Sequence, residues 1–246
     1  MPLQKKGYEI SIPEGNLRYA ILQGQAESVY RKSWFLRKFL FYRLPQFFSY
    51  EKVVSLEARL FPNRVRKEIN LSVQKHFEKI RPYLPKTASR TLDIASGQGF
   101  IDVLLFKHFR NEDMEVHLLD KFELASKVTY GMQDDAPAYA SAQDAEELMQ
   151  ANGIRNVYIH KAGKNSQTGC SGPFDLIIST GGWGYMFPVN GYLEQVYDLL
   201  RPGGIVITNL RKGAREKEQE ALLKSKFGNL SVLFDYGRGK CILLRK

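Results

Sequence analysis

A chain of 246 residues can form one large α/β domain, or a core domain with an extension, and its 43% hydrophobic and 25% charged content are those of an ordinary soluble globular protein. The net charge of +10 is unusual and favours an anionic partner: nucleic acid, a membrane surface or a phosphorylated substrate. Two cysteines, Cys170 and Cys241, without metal-type spacing, argue against a disulfide framework or a metal site and fit a reducing cytoplasm. Residues 1–12 have polar side chains where a signal peptide needs an apolar core. No apolar run approaches the ~20 residues of a membrane span.

In chain order, Pro2, Gly7, Pro13 and Gly15 mark residues 1–15 as an irregular arm. From 16 to about 84 the pattern is helical. Leu17, Ala20, Ile21 and Gly24 share one face. Residues 31–43 interleave Arg31, Lys32, Arg37, Lys38 and Arg43 with Trp34, Phe35, Phe39 and Phe41, and Pro45 ends that run. Three roles stay open for it: a helix packed on the rest of the protein, an interfacial helix on an anionic membrane, or a nucleic-acid contact. Two more helices are expected over 50–60 and 64–83, punctuated by Pro62 and Asn63, the second with Val65, Ile69, Val73, Phe77 and Ile80 on one face.

From residue 91 strands and helices alternate, as in a parallel sheet covered on both faces. Strands are expected at 91–94, 115–119, 156–160, 174–179 and 205–209, and helices at 101–109, 142–151, 190–200 and 214–226. Residues 121–153 exceed a minimal crossover and contain Gly131, the pair Asp134-Asp135 and Pro137. Residues 161–173 form a polar, Gly-rich loop. Residues 230–236 and 240–244 flank Gly237-Arg-Gly239 as a β-hairpin.

The chain is organised around Thr91-Leu-Asp-Ile-Ala-Ser-Gly-Gln-Gly-Phe100. A strand running through small residues into a helix N-terminus is how doubly wound sheets cradle a nucleotide. Asp120 closes the next strand, 21 residues after Gly99, an offset at which a carboxylate can accept two ribose hydroxyls. Where a dinucleotide fingerprint needs its third small residue stands Asp102, which would repel a pyrophosphate. S-adenosylmethionine carries a sulfonium cation and no phosphate, so acidic neighbours such as Asp93 suit it.

The stretch resembles motif I of the class I S-adenosylmethionine-dependent methyltransferases, D-x-G-x-G-x-G: Asp93, Gly97 and Gly99 match, and Ala95 stands at the first Gly. With Asp120, Leu199-Leu-Arg-Pro-Gly-Gly204 and the C-terminal hairpin, the resemblance spans about residues 87–246. It implies a doubly wound, Rossmann-like α/β sheet of seven strands with an antiparallel last strand, behind an N-terminal helical extension over 1–86 that covers the acceptor. It implies S-adenosylmethionine as cofactor, held by Asp93, Ala95, Ser96, Gly97, Gly99, Asp120, Lys121, His160, Lys161, Ala162, Ser179, Thr180 and Gly181. The Asn/Asp-Pro-Pro-aromatic motif of nucleic-acid amino-group methylases is absent after the fourth strand. The segment Ser179-Thr-Gly-Gly-Trp-Gly-Tyr-Met-Phe-Pro188 is instead similar to a bacterial group of sugar O-methyltransferases associated with surface polysaccharide, with Met186 where that group carries His. This likeness implies an acceptor wall of Trp183 and Tyr185, an anion contact at Arg211, and Tyr185 or His160 as catalytic residues, with no metal.

The expected function is O-methylation of a sugar or glycan conjugate. An RNA methyltransferase using the basic helices and a non-catalytic S-adenosylmethionine-binding protein are the alternatives. The partners expected are an anionic or glycan acceptor, a peripheral membrane contact and a second copy of the chain, with nucleic acid second to these. The expected location is cytoplasmic, at the inner face of the membrane.

Overall fold

The computed structural model describes residues 8–26, 50–123, 140–162 and 168–246. The basic-aromatic run 31–43, Gly131, Asp134-Asp135, Pro137 and the middle of the loop after the third strand lie outside them. The described elements are helices α1 (Asn16–Leu22), α2 (Tyr50–Leu60) and α3 (Pro62–Ile80), then β1 (Arg90–Ile94), α4 (Phe100–Phe109), β2 (Glu115–Asp120), α5 (Ala142–Ala151) and β3 (Val157–Lys161). β4 (Phe174–Ser179), α6 (Leu193–Leu199), β5 (Leu200–Arg211), α7 (Glu216–Phe227), β6 (Leu230–Tyr236) and β7 (Gly239–Arg245) complete the chain.

The strands form one sheet in the order β3-β2-β1-β4-β5-β7-β6. Neighbours are parallel from β3 through β5, and β7 runs antiparallel between β5 and β6. β4 lies at the centre with all six residues buried, which is why its sequence is a continuous apolar run. Its one charged residue, Asp175, is satisfied: it accepts from the Ser89 and Arg90 amides at 2.6 and 2.8 Å and pairs with Arg201 at 2.8 Å. On β5, successive residues alternate between two apolar layers, Ile205 and Ile207 facing α3 and α4, Val206 facing α6 and α7.

Several boundaries differ from the sequence expectation, most by one or two residues, and three have a clear physical reason. Pro62 and Asn63 begin α3 rather than separating two helices, because proline at the first helical position forfeits no hydrogen bond. The helix expected over 190–200 is split into a 3-10 turn, Val189–Gly191, and α6. β5 starts at Leu200 and so absorbs Arg-Pro-Gly-Gly204: Leu200 pairs with Phe174, Gly203 N–H donates to Lys246 O at 2.9 Å, and Gly203 takes a positive φ of 75°.

The helices that precede β1 share the core of the sheet. Ile10, Leu17, Val65 and Phe77 belong to the same buried apolar cluster as Val103, Leu104, Leu118 and Ile178. Asn70 pins the arm by bonding both the N–H and the carbonyl of Ile10, at 2.7 and 3.2 Å. Residue 86 therefore falls between elements but not between cores among the described residues. No helix of the described residues is long and apolar enough to cross a membrane.

Candidate functional site

The strand order reverses at β1, whose neighbours β2 and β4 are reached by crossovers in opposite directions; ligands of open α/β sheets bind beyond the carboxyl ends of such strands. There the chain makes a tight bend. The amides of Ala95 and Ser96 both donate to Leu119 O, at 2.7 and 3.2 Å. Ala95, Gly97 and Gly99 all have positive φ, 58°, 58° and 81°, and Gly99 opens α4 without a side-chain cap. Gly97 and Gly99 suit this geometry, whereas Ala95 holds it at a cost of about 1–2 kcal/mol.

Three carboxyl groups surround the bend. Asp120 accepts from Gly97 N–H at 2.8 Å through one oxygen and from Lys121 N–H at 2.7 Å through the other, so it braces the bend directly. Asp93, on β1, and Asp102, in the first turn of α4, are fully buried within hydrogen-bond range of each other. Beyond the carboxyl pair itself, no donor from another residue reaches Asp93 Oδ1 or either Asp102 oxygen. Burial pushes both carboxyls up, Asp102 to about 7, and the neighbouring Asp102 and Asp120 push Asp93 further.

This pair makes stability depend on pH. A carboxyl whose folded pKa exceeds its unfolded value holds its proton more tightly in the native state. Its contribution is therefore intact below the unfolded pKa of 3.8 and is lost as pH climbs toward 7. Asp102→Asn is expected to match the wild type at pH 4 and to be more stable at pH 8 by on the order of 3 kcal/mol. Urea unfolding of both at pH 4, 6 and 8 measures this; a difference independent of pH would show that the pair does not titrate in this range.

The roof of the bend comes from the N-terminal segment. Asn16 Nδ2 donates to Gln98 Oε1 and to Asp144 O, both at 2.7 Å, and Gln98 returns a bond to Asn16 O at 3.2 Å. Gln23, just past α1, lies against Gly97, where a Cβ would stand 2.6 Å from Gln23 Nε2. Ser96 Oγ and Asn16 Oδ1 are buried without partners. Asn16 and Gln23 escaped the sequence analysis, because the periodicity of residues 16–24 marks only their apolar face.

The remaining expected residues divide into two groups. Lys121, Lys161 and Ala162 stand at the rim beside Asp120: Ala162 N–H donates to Asp120 O at 2.9 Å, and the exposed Lys161 pairs with Glu123 at 2.8 Å. Thr180 and Gly181 are partly exposed at the end of β4. Ser179 is instead a buried pin, its hydroxyl donating to Ile94 O at 2.6 Å and accepting Trp183 N–H at 2.9 Å. Trp183 is fully buried, with its indole N–H on Val189 O at 2.9 Å, so it supports the loop from beneath and offers no face to a ligand. His160 is drawn back along the sheet, Nε2 2.9 Å from His117 Nδ1 with the two rings stacked, which ties it to β2 and away from the bend. Tyr185 and Arg211 do meet, the guanidinium lying 5.3 Å from the ring centroid. Tyr236 joins them at 6.1 Å from Tyr185. The described residues contain no cluster of three or more histidine, cysteine or acidic side chains that could hold a metal.

No protein-family model matches the sequence, and no curated protein matches it significantly. Solved structures do. One is named "StiE O-MT residues 961-1257", at 12% identity over 77% of this chain and 79% of that one, with a TM-score of 0.52. Another is a precorrin-6y C5,15-methyltransferase from Geobacter metallireducens GS-15, at 13% identity over 72% of this chain and 89% of that one, with a TM-score of 0.50. Identities this low speak of fold alone. Together with the strand order and the antiparallel β7 inserted between β5 and β6, they give this chain the Rossmann-like fold of the class I methyltransferases.

Proposed function

We propose that the protein is an S-adenosylmethionine-dependent methyltransferase that O-methylates a sugar or glycan conjugate. The observation that carries this reading is the acidic bend: Asp93, Asp102 and Asp120 surround residues 95–99, and three of their oxygens are buried with no donor from a residue outside the carboxyl pair. A pyrophosphate would be disfavoured beside these carboxyls, whereas a sulfonium or an amino-acid ammonium would draw the buried Asp93–Asp102 pair toward its ionised form. The orphaned oxygens of Asp93 and Asp102, with Ser96 Oγ and Asn16 Oδ1, fit the cationic amino-acid end of that cofactor, and binding would relieve the repulsion within the carboxyl pair. Asp120 keeps lone pairs for ribose hydroxyls while bracing Gly97. Ala95, Gly97 and Gly99 let backbone approach the ligand, and Lys121, Lys161, Ala162, Thr180 and Gly181 form the rim around the base.

When bound, the cofactor supplies a methyl group on a sulfonium: the acceptor oxygen forms the new C–O bond as the C–S bond breaks, its electron pair passing to sulfur. This chain must align the acceptor and remove its proton. Tyr185 can accept a hydrogen bond from the acceptor hydroxyl and relay the proton to solvent, a role that suits it better than His160, which is bonded to His117. Tyr185 and Tyr236 give aromatic faces suited to a sugar ring.

Calorimetric titration with S-adenosylhomocysteine, the reaction product, is expected to show one saturable site per chain; an absence of binding would remove the reading. Deletion of the gene is expected to remove methyl groups from isolated surface glycan, and unchanged glycan methylation would remove the sugar assignment. The charge of +10 keeps RNA as the competing acceptor, which would show as RNA binding with a steep salt dependence.

A further inference from the structure

We propose that the acceptor carries an anionic group, a phosphate or carboxylate, held jointly by the Arg211 guanidinium and the Tyr236 hydroxyl. This rests on the methyltransferase reading and names the chemistry of its acceptor. Tyr236 on β6, Gly239 on β7 and Arg211 on β5 form one row across three strands, since Gly239 pairs with both of the others. The middle position carries no side chain, and a Cβ there would stand 2.8 Å from the Tyr236 hydroxyl oxygen. The phenol therefore lies over the central strand on the same face as Arg211, and the Tyr185 ring, 6.1 Å from the Tyr236 ring and 5.3 Å from the Arg211 guanidinium, joins the two.

Two donors, the Tyr236 hydroxyl and the Arg211 guanidinium, meet in this cluster. The Tyr236 hydroxyl is buried and has no partner. Burial, with Tyr185 and Cys241 beside it, pushes this phenol well above the usual range, so it keeps its proton throughout the working pH range. Arg211 is half-buried and its guanidinium meets no carboxylate among the described residues; Lys240, with its partners Glu216 and Glu220, stands on the opposite face of the sheet. Packing alone would leave the buried Tyr236 hydroxyl unsatisfied, which native structures avoid. A planar fork of N–H donors beside an O–H donor matches the oxygens of a phosphate or carboxylate. The cluster is also joined to the bend. Arg211 N–H donates to Gly184 O at 3.0 Å, in the loop whose Gly182 packs against Ala95.

The test uses the full chain, with and without saturating S-adenosylhomocysteine, titrated calorimetrically with phenyl phosphate, benzoate and the neutral phenyl glucoside. One or both anions should bind more tightly than the glucoside, and the tighter anion identifies the group. Arg211→Gln should weaken anion binding about 10- to 150-fold, as expected for charge-assisted hydrogen bonds, with Arg211→Lys between the two. Tyr236→Phe should weaken it about 5-fold. Arg238→Ala, which removes an exposed charge at the neighbouring hairpin turn, should change it less than about 2-fold. Unchanged S-adenosylhomocysteine affinity certifies that the variants are folded. Preference for the neutral glucoside, no anion binding by the wild type, or equal losses in Arg211→Gln and Arg238→Ala would each overturn the proposal. Arg211-dependent anion binding in a protein that fails to bind S-adenosylhomocysteine would uphold the anion site and refute the methyltransferase reading.

Discussion

Asp120→Ala is expected to weaken S-adenosylhomocysteine binding by about 100-fold, the largest functional effect of any single substitution at the bend. Two losses combine. The carboxylate would no longer accept from ribose hydroxyls, and charge-assisted hydrogen bonds contribute about 1.5–3 kcal/mol each. Gly97 N–H, now held at 2.8 Å by Asp120, would also lose its acceptor, so the bend itself would loosen before any ligand arrives. In this half-buried bend the amide left without its acceptor costs less than the ~1–3 kcal/mol of a fully buried one, and the unloaded variant should accordingly melt somewhat lower. Asp120→Asn retains one acceptor for Gly97 and should fall about 10-fold, between the two. Calorimetry on the three proteins decides the matter; an Asp120→Ala variant that binds as tightly as wild type would show that the nucleoside is not held at this strand end.

The largest structural effect is expected at Gly182. A Cβ there would lie 2.1 Å from the Ala95 methyl, a separation that forces backbone to move. Overpacking of this kind costs about 3 kcal/mol, which for a chain of this length lowers Tm by about 5–10 °C. The clash belongs to a pair, so its relief should come from the partner. Ala95→Gly removes the opposing methyl and also the strain of an alanine at φ 58°. The double variant retains only tighter contacts of the new Cβ with Phe187 at 3.2 Å and Ile94 O at 3.4 Å. It should recover most of the lost stability, with a coupling energy of about 2 kcal/mol in the cycle. Thermal unfolding of the four proteins measures this, and simple additivity would mean that the two loops do not touch. Because Ala95 belongs to the bend, Gly182→Ala should weaken S-adenosylhomocysteine binding as well.

The sequence was informative wherever a residue's role is set by its near neighbours. The apolar run of β4 announces a strand covered on both faces, and the alternation and turn of residues 230–245 announce the hairpin. Gly97 and Gly99 stand where the backbone must take positive φ, and Asp120 stands at a fixed offset from them. Ala95 shows the limit of this reasoning, since a residue poorly suited to φ 58° adopts it because Leu119 O binds its amide at 2.7 Å. Trp183 shows another. An aromatic in a glycine-rich loop looks like a ligand wall, yet Ser179 and Thr208 tie that loop down and leave the indole inside.

Composition, periodicity and turn chemistry by themselves determined the alternation of elements, the glycine bend and the carboxylate that braces it, because these depend on contacts a few residues apart or on the obligatory period of a strand. Only the tertiary structure decided which distant residues share the site. Strand order and register bring Tyr236 to Arg211 across Gly239 and draw His160 onto His117, while packing of α1 lays Gln23 on Gly97 and α4 sets Asp102 against Asp93. Such lateral neighbours are fixed by how elements pack and pair, and no local pattern in the chain records that choice.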